Sequence, residues 1–451
     1  MIDIKRAEDC CGCSACAQVC PKSCISMIAD KEGFLYPHVS NTSDCVQCGL
    51  CEKACNILHR REEHAPLKVL AAINRDEKIR KQSSSGGIFH ILAEGVINKG
   101  GVVFGVRFDE NWQVVFDYAD TIEGVKPFMG SKYVQATIGN AYKTAKRFLE
   151  EGRHVMFTGT PCQIAGLHQY LRKSYQNLLT VDFVCHGVPS PKVWGKYLDW
   201  IQDNIRKIGE IEFRNKGRGW QNFSFKVSAN TDSCSLYVPF HKSHYMKAFL
   251  SDIILRPSCY ECRSKGGRSN SDITLADFWG ISSIFPEMND DKGTSMVFIN
   301  TDEGAFTLNL PAFSAKETTY EQIKTLNPAC FRSPERPANR KLFFDSLDSS
   351  EDLNALIDRC TKPTIKKMLT NIYYTLRHIA KKTLLFIIGG GRKTIVNRHK
   401  SDFQRITMLS ESNIMSITFR DKSEGWSSYG LSITIQTKKD ENRNTDTTAS
   451  F

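Results

Sequence analysis

The chain has 451 residues, of which 24% are charged, and a formal net charge of +11. That length accommodates two or three domains with cores of their own. No run of about 20 apolar residues occurs, and the longest apolar stretch, "TLLFIIGGG" from Thr383, is too short for a bilayer span. The positive charge favours acidic partners but does not choose among acidic redox proteins, phosphorylated cofactors, membrane headgroups and nucleic acid.

The polar opening "MIDIKRAEDCC" contains no apolar signal stretch, so the seventeen cysteines read as reduced thiols and the protein as cytoplasmic. Cys10, Cys13, Cys16 and Cys20 follow the spacing C-x2-C-x2-C-x3-C with Pro21 behind them, and Cys45, Cys48, Cys51 and Cys55 repeat it. This is the ferredoxin spacing for cubane iron–sulfur clusters, in which the fourth cysteine of each run reaches the other cluster. The expected sets are therefore Cys10, Cys13, Cys16 and Cys55 for one [4Fe-4S] cluster, and Cys45, Cys48, Cys51 and Cys20 for the second. Cys11 and Cys24 fall outside the repeat, and Asn56 stands where a second proline would be usual. Zinc is the competing reading, but its sites are built from pairs rather than two runs of four. Residues 1–60 thus resemble a two-cluster ferredoxin-type domain.

After the polar linker "HRREEHAP", residues 67–345 read as a larger mixed α/β domain, giving a multidomain chain of α+β and α/β parts. "SSSGG" at 83–87 opens a helix, and "GVVFGVRFDENWQVVFDY" reads as two strands joined around Asp109 to Asn111. A helix over 136–151, the strand "HVMFT", the helix "IAGLHQYL", the strand "LLTVDFV" and the helix "PKVWGKYLDWI" then alternate, which implies parallel strands. The loops "GTPCQ" and "CHGVPS" should leave the carboxyl edge of that sheet, where open α/β sheets bind ligands. Cys162 and Cys185 would lie there, and the pair Cys259 and Cys262 brings the thiolates to the four a third cubane needs. The alternative is two buried cysteines and half a zinc site. The small residues of "SSSGG" and "TGTPCQ" suit a phosphate at a helix start, or plain capping. Lys132 and Asp277 are each a cofactor contact or a solvated charge.

In this order, "SSSGGIF", "GSKYVQ", "TGTPCQIAGL", "CHGVPSPKVW", "FRNKGRGW", "RPSCYEC", "SDITLADFWGI" and "DDKGTS" resemble the coenzyme F420 hydrogenase/dehydrogenase family of beta subunits over residues 67 to 300. The resemblance implies a flavoprotein with FAD held near Ser85, Gly86, Gly87, Gly159, Thr160 and Pro161, with Lys132 and the strand carrying Asp277, Phe278 and Trp279 close by. It also implies the third [4Fe-4S] cluster on Cys162, Cys185, Cys259 and Cys262. The activity implied is that of an oxidoreductase passing electrons from a ferredoxin-type or other redox protein through clusters and flavin to a two-electron acceptor, F420 or another small molecule. A non-catalytic electron-transfer subunit of a larger complex is the alternative, and a zinc-stabilised nucleic-acid binder a third. No nucleic-acid partner is expected. His186, beside Cys185, is a candidate proton donor.

Residues 361–393 are basic, hold no acid and carry Ile365, Leu369, Ile372, Leu376 and Ile379 at helical spacing. The stretch 361–388 reads as an amphipathic helix that either packs on its own domain or touches an acidic membrane surface or partner. Within 394–451, "FRDKSEGW" from Phe419 repeats "FRNKGRGW" from Phe213, and the polar stretch 437–451 reads as a disordered tail.

Overall fold

The computed structural model describes residues 2–40, 42–205, 207–230, 235–307, 312–350 and 352–362, and the strand backbones 403–409, 413–420, 430–437 and 449–450. These fall into two compact units, Met1–Lys362 and Pro363–Phe451.

The first unit opens with two short helices, α1 (Ala15–Val19) and α2 (Leu50–Lys53), and an antiparallel hairpin, β1 (Ile25–Ala29) and β2 (Leu35–Val39). Each helix follows a residue with positive φ, Ser14 and Gly49, at the turn where a cysteine run bends into its helix.

The body is an eight-stranded mixed sheet built from β3 (Lys68–Asn74), β4 (Val102–Phe108), β5 (Val114–Ala119), β6 (Val155–Gly159), β7 (Leu178–Phe183), β11 (Ile273–Asp277), β12 (Ser295–Ile299) and β13 (Phe313–Thr318). Its order is β13-β3-β12-β11-β7-β6-β4-β5. Strands β4, β6, β7 and β11 run parallel. Both β11 and β3 pair antiparallel with β12, which turns β3 the same way as the other four. The burial of "VMFTG" and "LLTVD" on both faces is what a parallel sheet covered by helices requires. Asp109 makes the expected β4–β5 turn by accepting from the amides of Asn111 and Gln113.

Helices α3 (Glu77–Gln82), α4 (Ile88–Ile97), α5 (Ile122–Val125), α6 (Ala141–Glu150), α7 (Pro161–Leu171) and α8 (Pro191–Asn204) connect and flank the strands. Helix α6 starts at Ala141 rather than near 136, because Thr137 instead bridges to Val115 beside the sheet. A separate antiparallel sheet, β8 (Ile208–Asn215), β9 (Ser224–Ala229) and β10 (Ser235–Pro239), packs Phe213 and Phe225 into an aromatic core with Trp194, Tyr197 and Tyr245.

The linker after the ferredoxin-like stretch is strapped down: Arg61 donates to Ser269 O, His64 N to Gly266 O, and Glu63 pairs with Arg268. Among the described residues no helix is long and apolar enough to cross a membrane.

In the second unit β14 (Phe403–Leu409), β15 (Asn413–Arg420), β16 (Gly430–Thr437) and β17 (Ala449–Ser450) form an antiparallel sheet in that order. Ala449 and Ser450 pair with Ile433 and Ser432, so the polar end of the chain contributes a strand where sequence alone indicated a tail. Phe419 and Arg420 end β15, Phe213 and Arg214 come just before the end of β8, and the next strand is antiparallel in both places. The expected basic helix lies outside the described residues from 363 on, as does any membrane contact through it.

Candidate functional site

The sheet's direction lines up several loops along one edge. The carboxyl ends of β3, β11, β7, β6 and β4 and the start of β12 all lie there, so "SSSGG", "DFWG", "CHG" and "GTPCQ" emerge side by side. With strands about 4.8 Å apart, the end of β11 lies roughly 10 Å from the end of β6, two strands away.

Cys20, Cys45, Cys48 and Cys51 line one cavity at the surface, together with Cys24, Pro21 and Gly49. Cys20 therefore faces the second run of cysteines rather than its own. Cys16 sits instead with Cys10, Cys55 and Cys51, and burial pushes its thiol up to about 12. Gly166 of α7 explains how closely this first group approaches the α/β body: a Cβ there would lie 2.9 Å from both Cβ and Sγ of Cys13. Helix α7 starts with Thr160 as its cap, in a reciprocal bond with Gln163, and Pro161 in its first turn. Cys162 thereby sits at the helix start, with Thr160 Oγ1 3.1 Å from its sulfur. Cys262 is a neighbour of Cys162 and of Cys185, and Cys259 of both Cys185 and Cys262. Burial raises Cys185 and Cys259 to about 12, so these thiols ionise only where a cation or metal displaces the proton.

Two buried cations test whether these groups suit clusters. The Arg256 side chain, 0% exposed, donates to Cys10 O at 2.8 Å, Gln135 Oε1 at 3.0 Å and Leu35 O at 3.0 Å, and its charge sits beside Cys10. Lys265, 5% exposed, donates to Cys185 O at 2.5 Å and Ala329 O at 2.7 Å and lies near Cys185 and Cys262. Neither makes an ion pair with a carboxylate among the described residues. A buried charge without a counter-charge is costly, and a cubane held by thiolates supplies negative charge at both places. The positive charge at both places would suit an iron–sulfur cluster there. No three His, Cys, Asp or Glu side chains among the described residues are placed to hold a metal ion.

The other predicted residues fall in two places. Ser85 Oγ donates to Thr294 O, and Ser84 Oγ accepts from Ser131 N at 2.7 Å, which joins "SSSGG" to the segment carrying Lys132. Gly86 is a packing requirement, since a Cβ there would lie 2.4 Å from Ala72 O, and Gly87 caps α4 with positive φ. Asp277 pairs with Arg214 and accepts from Trp220 Nε1 at 3.2 Å. Trp279 stacks on Trp220 with centroids 4.7 Å apart and remains 39% exposed, whereas Phe278 is wholly buried in the core beneath. Gly159, Thr160 and Pro161 belong instead with Cys162, next to the cysteine groups. His186 Nε2 meets Asp252 Oδ1 at 2.5 Å and its ring packs edge-on to Phe249.

Sequence reasoning missed Arg214, Lys216, Trp220, Arg256 and Lys265. The first three lay in view within "FRNKGRGW", but their partners are distant in sequence. Lys216 Nζ donates to Arg80 O, Ser85 O and Lys292 O at 2.7–2.8 Å. Burial, with Arg214 and Arg80 nearby, lowers Lys216 to about 7, and burial lowers Lys132 to about 7. An anion placed between these loops would return both to the charged form.

Residues 152–325 match the family described as the C terminus of the beta subunit of coenzyme F420 hydrogenase/dehydrogenase. A curated relative, one of the subunits of the F(420)H(2) dehydrogenase of Methanosarcina mazei, is 25% identical over 233 residues, covering 48% of this chain and 65% of its own length. The chain thus spans just under two thirds of that relative. A chain from the F420-reducing [NiFe] hydrogenase complex of Methanosarcina barkeri aligns with 17% identity and a TM-score of 0.41 over 64% of this chain and 95% of its own. The ordered motifs and the matched segment together make this chain similar, over residues 152–325, to the coenzyme F420 hydrogenase/dehydrogenase family of beta subunits.

Proposed function

We propose that this protein is an iron–sulfur flavoprotein oxidoreductase. The clusters would be held by Cys45, Cys48, Cys51 and Cys20; by Cys10, Cys13, Cys16 and Cys55; and by Cys162, Cys185, Cys259 and Cys262. FAD would lie over the edge formed by Ser85, Gly87, Lys132, Asp277 and Trp279. When bound, these groups supply one-electron carriage and the conversion of single electrons into a pair. The protein's own work is to hold them in line, exclude water and set charge. Arg256 and Lys265 bring positive charge to two of the cysteine groups, while Lys132 and Lys216 offer it to cofactor phosphates. Exposed Cys48 makes the second cluster's cavity the natural entry for a redox protein, and the acceptor would be F420 or another small two-electron carrier.

The observation that carries this reading is the pair of buried cations, each lacking a carboxylate and each beside a different group of cysteines. Cys259→Ala is the test. It should leave flavin bound but slow its reduction by a low-potential ferredoxin, because the relay next to the flavin loses one of its ligands. Unchanged reduction would take the third cluster out of the pathway.

The name of the Methanosarcina mazei relative, which makes it one part of a dehydrogenase, favours a second reading in which the chain transfers electrons within a larger complex and the catalytic centre lies on another subunit. Reduction of an organic acceptor by the purified chain alone supports the first; activity only after a partner is added supports the second.

A further inference from the structure

Phe183 breaks the pattern of its own strand. The other positions of β7 are buried, whereas Phe183, its last residue, is 44% exposed at the carboxyl edge of the sheet. Strand register shows which side of the sheet it occupies. Phe183 pairs with Leu275 of β11, and Leu275 packs in the same core as Ile88, the first residue of α4, so Phe183 lies on the α4 face. Asp277, two residues beyond Leu275, shares that face.

Asp277 also brings Arg214 to this edge. The Arg214 side chain is only 4% exposed, its Nη1 donates to Asp277 Oδ2, and the rings of Phe223 and Trp279 lie 4.7 and 5.6 Å from its guanidinium carbon. Tyr133 stands near its charge, yet Nε and Nη2 are buried without a hydrogen-bond partner. Two buried donors left open are costly. They belong to one planar fork, a shape that matches a pair of adjacent acceptors on a flat ligand.

The geometry points to Phe183 and Arg214 as the subsite for the ring end of the flavin, with Phe183 as its stacking face and the open donors of Arg214 on its acceptor edge. This rests on the flavin reading given above and deepens it by orienting the cofactor: ring toward β7 and the Cys185 loop, phosphates toward Lys132. A flavin ring carries neighbouring nitrogen and carbonyl acceptors along one edge, and negative charge gathers there once two electrons and one proton have been taken up. Arg214 therefore holds the reduced ring more tightly than the oxidised one and raises the flavin's midpoint. Phe183 stands two residues before Cys185, so this orientation turns the ring toward the third group of cysteines.

The test uses the anaerobically purified full chain, with iron and flavin counted per chain, release of FAD followed by its fluorescence, and the flavin midpoint read by spectroelectrochemical titration. Phe183→Ala should keep its iron and bind FAD about tenfold more weakly, the scale of losing an aromatic side chain stacked on a flat heterocycle. Phe183→Tyr keeps a ring and should hold FAD as the parent does. Arg214→Lys can still pair with Asp277 but lacks the open donors; it should retain flavin while the flavin midpoint falls by about 30 mV or more, a tenfold change for a two-electron couple, and the cluster midpoints stay. FAD held equally well by Phe183→Ala, or an unmoved flavin midpoint in Arg214→Lys, would overturn the assignment and leave the flavin reading standing. A parent chain that carries iron but neither retains flavin nor takes up added FAD would overturn the flavin reading itself, before any substitution is made.

Discussion

Cys20→Ala is expected to abolish the cluster held by Cys45, Cys48 and Cys51 and to spare the one built on Cys10, Cys13 and Cys16. About four iron atoms per chain should be lost, and the signal of the buried first cluster should remain. The reason lies in the cavity: Cys20 shares its walls with Cys45, Cys48 and Cys51, while Cys16, only four residues earlier, sits with Cys10 and Cys55. Iron analysis and electron paramagnetic resonance of the variant check this. A spectrum in which the distal cluster survives and the near one is lost would overturn the crossed assignment.

Arg256→Met should be the most destabilising single change that touches no cysteine. It removes the donor to two buried acceptors, Cys10 O and Gln135 Oε1, and to the half-buried Leu35 O, and strips the aromatic faces of Tyr36 and Phe34 of the guanidinium lying 4.1 and 5.5 Å from their centroids. Each buried acceptor left unpaired costs about 1–3 kcal/mol, so a loss of roughly 3 kcal/mol or more is expected. Removal of the positive charge beside Cys10 should also make the first cluster harder to reduce. Denaturant unfolding of the anaerobically purified protein measures the first effect, and a redox titration the second. A variant as stable as the parent, with its first cluster at the same potential, would show that Arg256 is neither tie nor counter-charge.

The two predictions differ in how far sequence could reach them. Crossing of the cysteine runs follows from spacing, because C-x2-C-x2-C-x3-C commits three sulfurs to one loop and sends the fourth away. Parallel β6 and β7 were equally legible from short loops alternating with apolar runs, and with them the edge carrying Cys162 and Cys185. Arg256, by contrast, opens "RPSCYEC" in the sequence but counted there only as the flank of a cysteine pair. Only burial against Cys10, 246 residues away, marks it, and no local pattern encodes that. Arg214, Trp220, Asp277 and Trp279 stood in two quoted motifs whose meeting depends on β8 packing near the end of β11. The pairing of β17 with β16 was out of reach because a polar strand end carries no alternation to read.

Iron, acid-labile sulfide and flavin, counted per chain after anaerobic purification, test the central claim most directly. The account expects a brown protein with about twelve iron atoms, a matching amount of sulfide and about one flavin. A colourless protein holding zinc in place of iron, with no flavin, would contradict it.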